Sequence, residues 1–235
     1  MKKRFIIANW KSNKTVPEAR EWLQKFSTFD LSSSVEAELI VCPPFTLLAD
    51  MKAFIDEHSL PIKLGTQNIS PFAEGAYTGE IFAKEAKEFV SHVIVGHSER
   101  RKYFHETDHD VLEKIKRLLE CEITPILCIS DMKQLEFFLQ EDTVLVDNAE
   151  KIIFVYEPPS EISGGGAFHK VNPESVDKNT AELGRMIGKA VITLYGASIN
   201  TDNAGVLFGL EHVDGGLIGQ ASLDAEKLHE IITSV

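Results

Sequence analysis

The chain has 235 residues, of which 43% are hydrophobic, so it can bury a substantial core in one large domain or two small ones. Its 36 acidic and 24 basic residues give a formal net charge of −12. This balance argues against a general basic surface, so we expect neither nucleic acid nor a membrane as a partner. No stretch reaches membrane-spanning length, and the apolar run near the N-terminus is too short for a signal-peptide core.

Short apolar runs alternate with helical patterns along the chain. The first run, Arg4–Asn9, precedes a helix whose start is marked by Thr15 and Glu18 at capping-box spacing. Further runs predict the other seven strands, at about Leu39–Cys42, Ile62–Gln67, Val93–Val95, Ile126–Ile129, Ile152–Tyr156, Ala190–Tyr195 and Gly215–Ile218. After the sixth strand, Asn172 marks the start of a helix that should end near Gly188.

Two segments interrupt this regularity. Asn68–Tyr77 contains Pro71 and Gly75 and predicts an ordered, protruding loop before a helix over Gly79–Phe89. The crossover after the fifth strand is weakly patterned, and Val144–Ala149 fits either a further helical turn or a short strand.

The three cysteines indicate reduced thiols. Cys42, Cys121 and Cys128 are odd in number and form no CxxC pair. They therefore predict neither a disulfide framework nor a zinc site, and we expect a cytoplasmic protein.

Eight strand and helix units in this length predict an α/β fold with one domain over residues 1–235. The apolar runs mostly lack alternation, as in parallel strands covered by helices, and eight units fit a closed (βα)8 barrel better than an open doubly wound sheet. The active site of such a barrel lies at the C-terminal ends of its strands. The residues to consider at this mouth are Asn9, Lys11, Gln67, Asn68, His97, Glu99, Asp131, Glu157, Ser198, Gly219 and Gln220.

The loop after the sixth strand has the composition of an active-site lid. Glu157 ends a run of five apolar or aromatic residues, and Pro158 and Pro159 then prevent a strand or helix from continuing. Ser163–Gly166 supplies small residues whose N–H groups can approach an anion closely. An ordinary loop with a surface glutamate fits this segment equally well when it is considered alone.

The residues at the mouth predict the chemistry when they are taken together. Singly, His97 is more often a structural histidine and Lys11 a solvated charge. With Glu157 they form a base, a polarising donor and a fixed positive charge, the set that removes a proton next to a carbonyl group and stabilises an enediolate. Turns at Tyr195–Ser198 and Ile218–Ser222 offer backbone donors for a phosphate, so a small phosphorylated carbonyl compound is the expected substrate.

The sequence carries no signal for a metal ion or a cofactor. It has no Asp, His and Glu cluster at metal-ligand spacing, no P-loop GxxxxGK[ST] and no GxGxxG after the first strand. We therefore expect cofactor-free chemistry without a metal.

The motifs of the chain resemble those of triosephosphate isomerases over nearly the full length. They are ANWKSN at Ala8–Asn13, GTQNIS and GAYTGE within Gly65–Glu80, VGHSERR at Val95–Arg101, YEP at Tyr156–Pro158, YGAS at Tyr195–Ser198 and DGGLIGQASL at Asp214–Leu223. GHSERR and the strand-ending YEP, in this order and spacing, are highly specific. The resemblance implies a (βα)8 TIM barrel that interconverts dihydroxyacetone phosphate and D-glyceraldehyde 3-phosphate in glycolysis and gluconeogenesis.

The resemblance also implies residue roles, which come from the family and not from the spacing of the residues. Glu157 would shuttle the proton, and a neutral His97 would act as the electrophile on the substrate oxygens. Lys11 would stabilise negative charge with support from Glu99, and Asn9 would help to fix the substrate. The phosphate would be held by backbone N–H groups of Ser163, Ser198, Gly219 and Gln220.

The family is dimeric or tetrameric, and the resemblance therefore implies an assembly of identical chains. The loop Gly75–Gly79 matches the segment that inserts beside the active site of the neighbour. We expect a homodimer in which Thr78 is the contact near the neighbour's site.

Several departures from the family pattern fall on the lid and its surroundings. Pro159 and Ser160 stand where the family usually has an aliphatic residue and a tryptophan, and Ser163 replaces a glycine. Asp131 replaces a glutamate, and the crossover between strands five and six is shorter than usual. Since the reacting residues are present, we expect an active isomerase with altered lid dynamics; the alternative is a phosphate-binding barrel with impaired turnover that serves a binding or regulatory role.

Overall fold

Eight parallel strands close into a barrel in the computed structural model, which describes residues 3–30, 37–162 and 169–234. The strands pair in chain order, and the first pairs with the last. They are β1 (Arg4–Asn9), β2 (Ala37–Cys42), β3 (Ile62–Thr66), β4 (His92–Val95), β5 (Thr124–Ile129), β6 (Ile153–Tyr156), β7 (Ile192–Tyr195) and β8 (Gly215–Ile218). The predicted (βα)8 TIM barrel is confirmed.

Helices cover the outside of the barrel between the strands. They are α1 (Val16–Phe26), α2 (Leu48–Glu57), α3 (Ala83–Ala86), α4 (Ser98–Phe104), α5 (Asp108–Glu120), α6 (Met132–Glu141), α7 (Val144–Asp147), α8 (Pro173–Ile187), α9 (Ala204–Phe208) and α10 (Ala225–Thr233). The predicted caps are present, since Glu18 accepts the N–H of Thr15 at 2.7 Å and Asn172 accepts the N–H of Glu174 at 3.1 Å. Within the described ranges, no helix is long and apolar enough to cross a membrane.

The helix predicted over Gly79–Phe89 is wrong in length, because only α3 is an α-helix there. Two local features hold the preceding chain out of a helix. Gly79 takes a left-handed φ of 91°, and the carbonyl of Ile81 accepts the N–H of Ser70 at 2.8 Å. The second contact ties the segment to the protruding loop, so the helix begins only after Phe82.

The weakly patterned crossover between β5 and β6 is helical. α7 covers most of the ambiguous segment, and a 3-10 helix follows at Ala149–Lys151. Of the two alternatives that the sequence left open, the further helical turn is therefore correct and the short strand is wrong.

The hydrophobic core has two layers. The inner layer fills the barrel and consists of Phe5, Ile7, Ile40, Cys42, Ile94, Ile126, Cys128, Ile153, Val155, Leu194 and Leu217. The outer layer lies between strands and helices and includes Ile6, Trp22, Leu23, Phe138, Phe154 and Leu228. Because successive side chains of a strand point to opposite faces, both faces must be apolar, which explains why the strand sequences do not alternate.

Candidate active site

Strand alternation carries polar side chains from the barrel core to its C-terminal mouth. In β6 the inward side chains are Ile153 and Val155, and the next position on that face is Glu157. In β1 the face that carries Ile7 continues to Asn9. Residues two apart lie on the same face of a strand, so the register that buries the core also aims these two polar side chains into the mouth. Both are buried there.

Glycines occupy the corresponding positions on β7 and β8. Gly196 lies two residues after the inward Leu194, and Gly219 lies two residues after the inward Leu217. A methyl group on Gly196 would lie 2.4 Å from Cγ1 of Val155, so a side chain cannot fit there without displacing the Val155 side chain or β6. With only hydrogen at these two positions, the mouth holds a cavity of about 270 Å³ whose lining includes Asn9, Lys11, His97, Glu157, Gly219 and Gln220.

His97 lies at the N-terminus of α4, directly after β4. Gly96 turns the chain out of the strand with a left-handed φ of 71°, and His97 then caps the helix. Its Nδ1 accepts the backbone N–H of Glu99 at 3.2 Å. An imidazole nitrogen that accepts a hydrogen bond carries no proton, so this contact assigns the proton of the neutral ring to Nε2.

The Nε2 atom of His97 faces the carboxylate of Glu157. Nε2 lies 2.9 Å from Oε1, and Oε2 accepts the backbone N–H of Ser98 at 3.3 Å. The side chains of His97 and Glu157 are only 6% and 2% exposed. No lysine or arginine among the described residues forms an ion pair with this carboxylate. The carboxylate of Glu157 and the imidazole of His97 are therefore each other's buried partner.

Opposing influences act on the protonation of His97. Burial lowers the pKa of the imidazole, but the charge and the hydrogen bond of Glu157 together with the charge of Glu99 outweigh burial, so the pKa lies above its ordinary value. The N–H of Glu99 opposes protonation at Nδ1. A ligand that draws the carboxylate away from Nε2 removes the main influence that raises the pKa, and the ring then becomes a neutral donor.

Lys11 is held in a left-handed backbone conformation with a φ of 51°. Asn9 Oδ1 accepts its N–H at 3.0 Å, and Gln67 Nε2 donates to its carbonyl at 2.9 Å. These bonds stabilise a conformation that is strained for a residue other than glycine. The side chain then passes Gly219, where a methyl group would lie 3.4 Å from Cε, and Nζ pairs with Oε1 of Glu99 at 2.6 Å. The ammonium group is thereby fixed at the edge of the cavity.

The turns after β7 and β8 form another part of the cavity wall. Ala197, Gly219 and Gln220 line the cavity, and Ser198 is fully buried beside it. No described residue accepts the backbone N–H of Ser198 or of Gly219. Ser163, the remaining residue predicted to bind phosphate, lies outside the described residues, as does the rest of the predicted lid over 163–167.

Two other polar residues at the mouth have structural partners. Asp131 caps α6 by accepting the N–H of Gln134 at 3.1 Å. Asn68 accepts a hydrogen bond from Nζ of Lys114 at 2.7 Å. Neither residue lines the cavity that contains His97 and Glu157.

The structure adds contacts that the sequence did not predict. Ser98 donates its backbone N–H to Glu157, and Gln67, already expected at the mouth, holds the backbone of Lys11. Glu161 and Tyr195 form a hydrogen bond between the segment after β6 and the end of β7. The position of Ser98 at a helix start could have indicated a free N–H, but no local pattern indicates the partners of the other three.

Comparisons with known proteins identify the family to which the chain belongs. The family model described as triosephosphate isomerase matches residues 4–235. The chain belongs to the triosephosphate isomerase family. Its relatives include triosephosphate isomerases of Fusobacterium nucleatum, 37% identical over 99% of this chain and 98% of the relative, and of Trichodesmium erythraeum, 37% identical over 99% of each. The enzyme of the same name from Alkaliphilus metalliredigens is 34% identical over 99% of each chain. The family resemblance that the motifs indicated is therefore confirmed.

Proposed function

We propose that this chain is a cofactor-free isomerase that interconverts dihydroxyacetone phosphate and D-glyceraldehyde 3-phosphate, a step of glycolysis and gluconeogenesis. Its family and the names of its relatives support this activity. The main support for the assignment of catalytic residues is the buried pair of Glu157 and His97, which lie 2.9 Å apart in the cavity wall. A barrel that only binds phosphate has no need of such a base, and no observation favours that alternative.

Glu157 is the base of the proposed reaction. Its carboxylate removes a proton from the carbon next to the substrate carbonyl, and the electron pair of that C–H bond moves toward the oxygen to give an enediolate. A proton moves from one enediolate oxygen to the other, and the carboxylic acid returns its proton to the neighbouring carbon, so the isomerisation leaves the atoms and the charge balanced.

His97 is the proposed electrophile. Its Nε2 faces Glu157 in this structure, so the substrate must replace the carboxylate as the acceptor of the Nε2 proton. The carbonyl and enediolate oxygens can then accept this hydrogen bond, which stabilises the negative charge as it develops. The N–H of Glu99 on Nδ1 keeps the ring in the tautomer that this step requires.

Lys11 supplies the fixed positive charge. Its Nζ pairs with Glu99, and its side chain passes Gly219, so the ammonium group lies where it can offset charge on both the enediolate and the phosphate. Asn9 helps to fix the substrate and also holds the backbone of Lys11. Glu99 acts through Lys11 and His97.

Backbone N–H groups are the proposed phosphate ligands. Two of the donors lack an acceptor among the described residues, and such groups bind anions without adding side-chain bulk. With a net charge of −12, the protein must capture an anionic substrate by local donors of this kind. The proposed ligands are Ser163, Ser198, Gly219 and Gln220.

Isomerisation in D2O tests the proposal. The purified protein should convert D-glyceraldehyde 3-phosphate to dihydroxyacetone phosphate with deuterium on the carbon that receives the proton, because a carboxylic acid exchanges with solvent. NMR measures both the turnover and the label. Turnover without any label would argue for a direct shift of hydrogen in place of a base. Binding of the substrate without turnover would instead favour the phosphate-binding alternative.

We also propose a homodimer formed through the loop Gly75–Gly79, with Thr78 near the neighbour's site. Phe72 and Tyr77 stack at 4.3 Å between ring centres and are 47% and 44% exposed, as expected of a surface that a partner covers. A second cavity of about 520 Å³ opens beside Lys11 and could receive such a loop. Sedimentation equilibrium should give about twice the mass of 26.2 kDa, and Tyr77→Glu should reduce it to the monomer mass. A monomeric wild type would reject the dimer.

We propose further that residues 1–235 act as one domain in the cytoplasm. The cavity draws residues from the ends of β1, β6, β7 and β8, so no part of the barrel forms it alone. The three cysteines are free thiols, which fits a reducing compartment. A single cooperative unfolding transition would support one domain, and cell fractionation tests the location.

A further inference from the structure

The segment after Glu157 is tied to the end of β7 by a residue outside the proposed reaction. A 3-10 turn covers Pro159–Glu161. The carboxylate of Glu161 accepts a hydrogen bond from the hydroxyl of Tyr195, and its backbone carbonyl accepts one from the hydroxyl of Ser198 at 2.7 Å. One residue therefore receives two hydrogen bonds from the neighbouring strand and its turn.

Both donors are well placed to hold this contact. Tyr195 is the last residue of β7 and is fully buried. Burial, reinforced by the Glu161 carboxylate, raises the pKa of Tyr195, so its hydroxyl stays protonated and can donate at any pH near neutrality. Ser198 also accepts the backbone N–H of His169 at 3.2 Å. Its hydroxyl thus contacts the chain on both sides of residues 163–168.

Little flexible chain separates Glu161 from the reacting groups. Two prolines follow Glu157 directly and fix φ at both positions, so a displacement of Glu161 is passed on to the base. The next residue, Ile162, lines the cavity. On the other strand, Ser198 supplies a proposed phosphate donor, so Glu161 lies between the base and the phosphate-binding turn.

We propose that Glu161 is a positioning residue that couples the base Glu157 to the phosphate-binding turn at Ser198. This inference rests on the proposed function. By accepting hydrogen bonds from Tyr195 and Ser198, Glu161 keeps the two halves of the site in one geometry, so that binding of the phosphate group helps to place the base. The role requires an acceptor at this side chain and not a negative charge.

Variants of Glu161 show whether its side chain acts as a hydrogen-bond acceptor, as a negative charge or only in folding. Glu161→Leu removes the acceptor and should lower kcat/KM for D-glyceraldehyde 3-phosphate about tenfold. Isomerisation of glyceraldehyde, which has no phosphate group, should fall much less, whereas a loss of folded protein would lower both reactions equally. Glu161→Gln keeps an acceptor oxygen and should restore most of the activity. Ser160→Ala, at an exposed position of the same turn, is the matched control and should behave as wild type.

Tyr195→Phe tests the same hydrogen bond from its donor side. It should reproduce the effect of Glu161→Leu, and the double variant should be no worse than either single one, because all three delete one contact. Additive losses, equal losses on both substrates, or a Glu161→Gln variant as poor as Glu161→Leu would overturn the proposal. A wild type without isomerase activity would instead reject the proposed function, so the two failures are distinguishable.

Discussion

Two buried histidines lie at opposite ends of β4, each beside a glutamate. His92 begins the strand at the N-terminal end of the barrel, and His97 follows it at the C-terminal mouth. His92 Nε2 lies 3.6 Å from Oε1 of Glu38, and His97 Nε2 lies 2.9 Å from Oε1 of Glu157. The same two residue types therefore meet at both ends of one strand.

The two pairs differ in the cations around the carboxylate. Glu38 is paired with Lys3 at 2.5 Å and with Lys63 at 2.8 Å. Burial, offset only in part by this already paired carboxylate, lowers the pKa of His92 to about 4. No lysine or arginine of the described residues pairs with Glu157, whose charge raises the pKa of His97.

This difference supports a structural role for the N-terminal end of the barrel and the proposed reactive role for its C-terminal mouth. A carboxylate held by two lysines is already stabilised as an anion, and it has little tendency to take up a proton. A buried carboxylate bonded only to a histidine and a backbone N–H remains available as a base once a substrate displaces it. The identity of the side chain matters less here than the cations around it.

Replacement of each glutamate by glutamine should affect activity at one end of β4 and stability at the other. Glu157→Gln should lower kcat about a thousandfold or more, because an amide cannot accept the substrate proton. Glu38→Gln should leave kcat close to wild type and lower the stability, because two lysines lose their counter-charge. Steady-state kinetics and urea denaturation of both variants measure the contrast. An equal loss of activity in both variants would contradict the proposal that the active site lies at the C-terminal mouth.

The two histidines offer the next largest contrast. His97→Gln should lower kcat about a hundredfold, because the oriented Nε2 donor acts on charge that develops in the transition state. KM should change less, since the substrate itself carries little of that charge. His92→Gln is the matched control and should keep kcat. A His97→Gln variant with normal kcat and only a raised KM would reduce His97 to a binding residue.

The fold could be predicted from the sequence where structure depends on local pattern. β1 and β8 have the predicted bounds because their runs are apolar on both faces and end at polar or glycine residues. The start and end of α8 follow from an N-cap asparagine and a left-handed glycine. α3 could not be predicted in length, because a hydrogen bond from Ser70 to Ile81 holds the preceding chain extended.

The candidate site could be predicted from the sequence only where its residues follow from the local pattern of a strand. Glu157 and Asn9 continue the inward face of their strands, so periodicity alone places them at the mouth. Other contacts join segments that are distant in sequence: Ser98 and Glu157 are 59 residues apart, and Glu161 and Tyr195 are 34 apart. Such pairs depend on the closed barrel, and no local propensity encodes them.

The glycines of the mouth provide a finer test of the reactive end. Gly196→Ala would place a methyl group 2.4 Å from Cγ1 of Val155 and 3.5 Å from Cβ of Glu157, so it must displace side chains that pack beside the proposed base. We expect kcat/KM to fall about tenfold or more. Gly219→Ala would place its methyl group 3.4 Å from Cε of Lys11, an ordinary contact, and should only raise KM modestly. Kinetics that show equal effects would contradict the geometry of the cavity.

The smallest effect on activity is expected at His92, which should act on the pH dependence of stability alone. Its pKa of about 4 in the folded protein lies below the ordinary value of 6.5, so the unfolded chain binds the proton more readily. The stabilising contribution of the neutral ring is therefore complete above pH 6.5 and is lost as the pH falls to 4, by on the order of 3 kcal/mol. His92→Gln should remove this part of the pH dependence, as measured by urea unfolding at several pH values, whereas His58→Gln, at an exposed position, should retain it. Parallel stability curves for wild type and His92→Gln would show that the ring is not held neutral beside Glu38, and the contrast between the two ends of β4 would then depend on His97 alone.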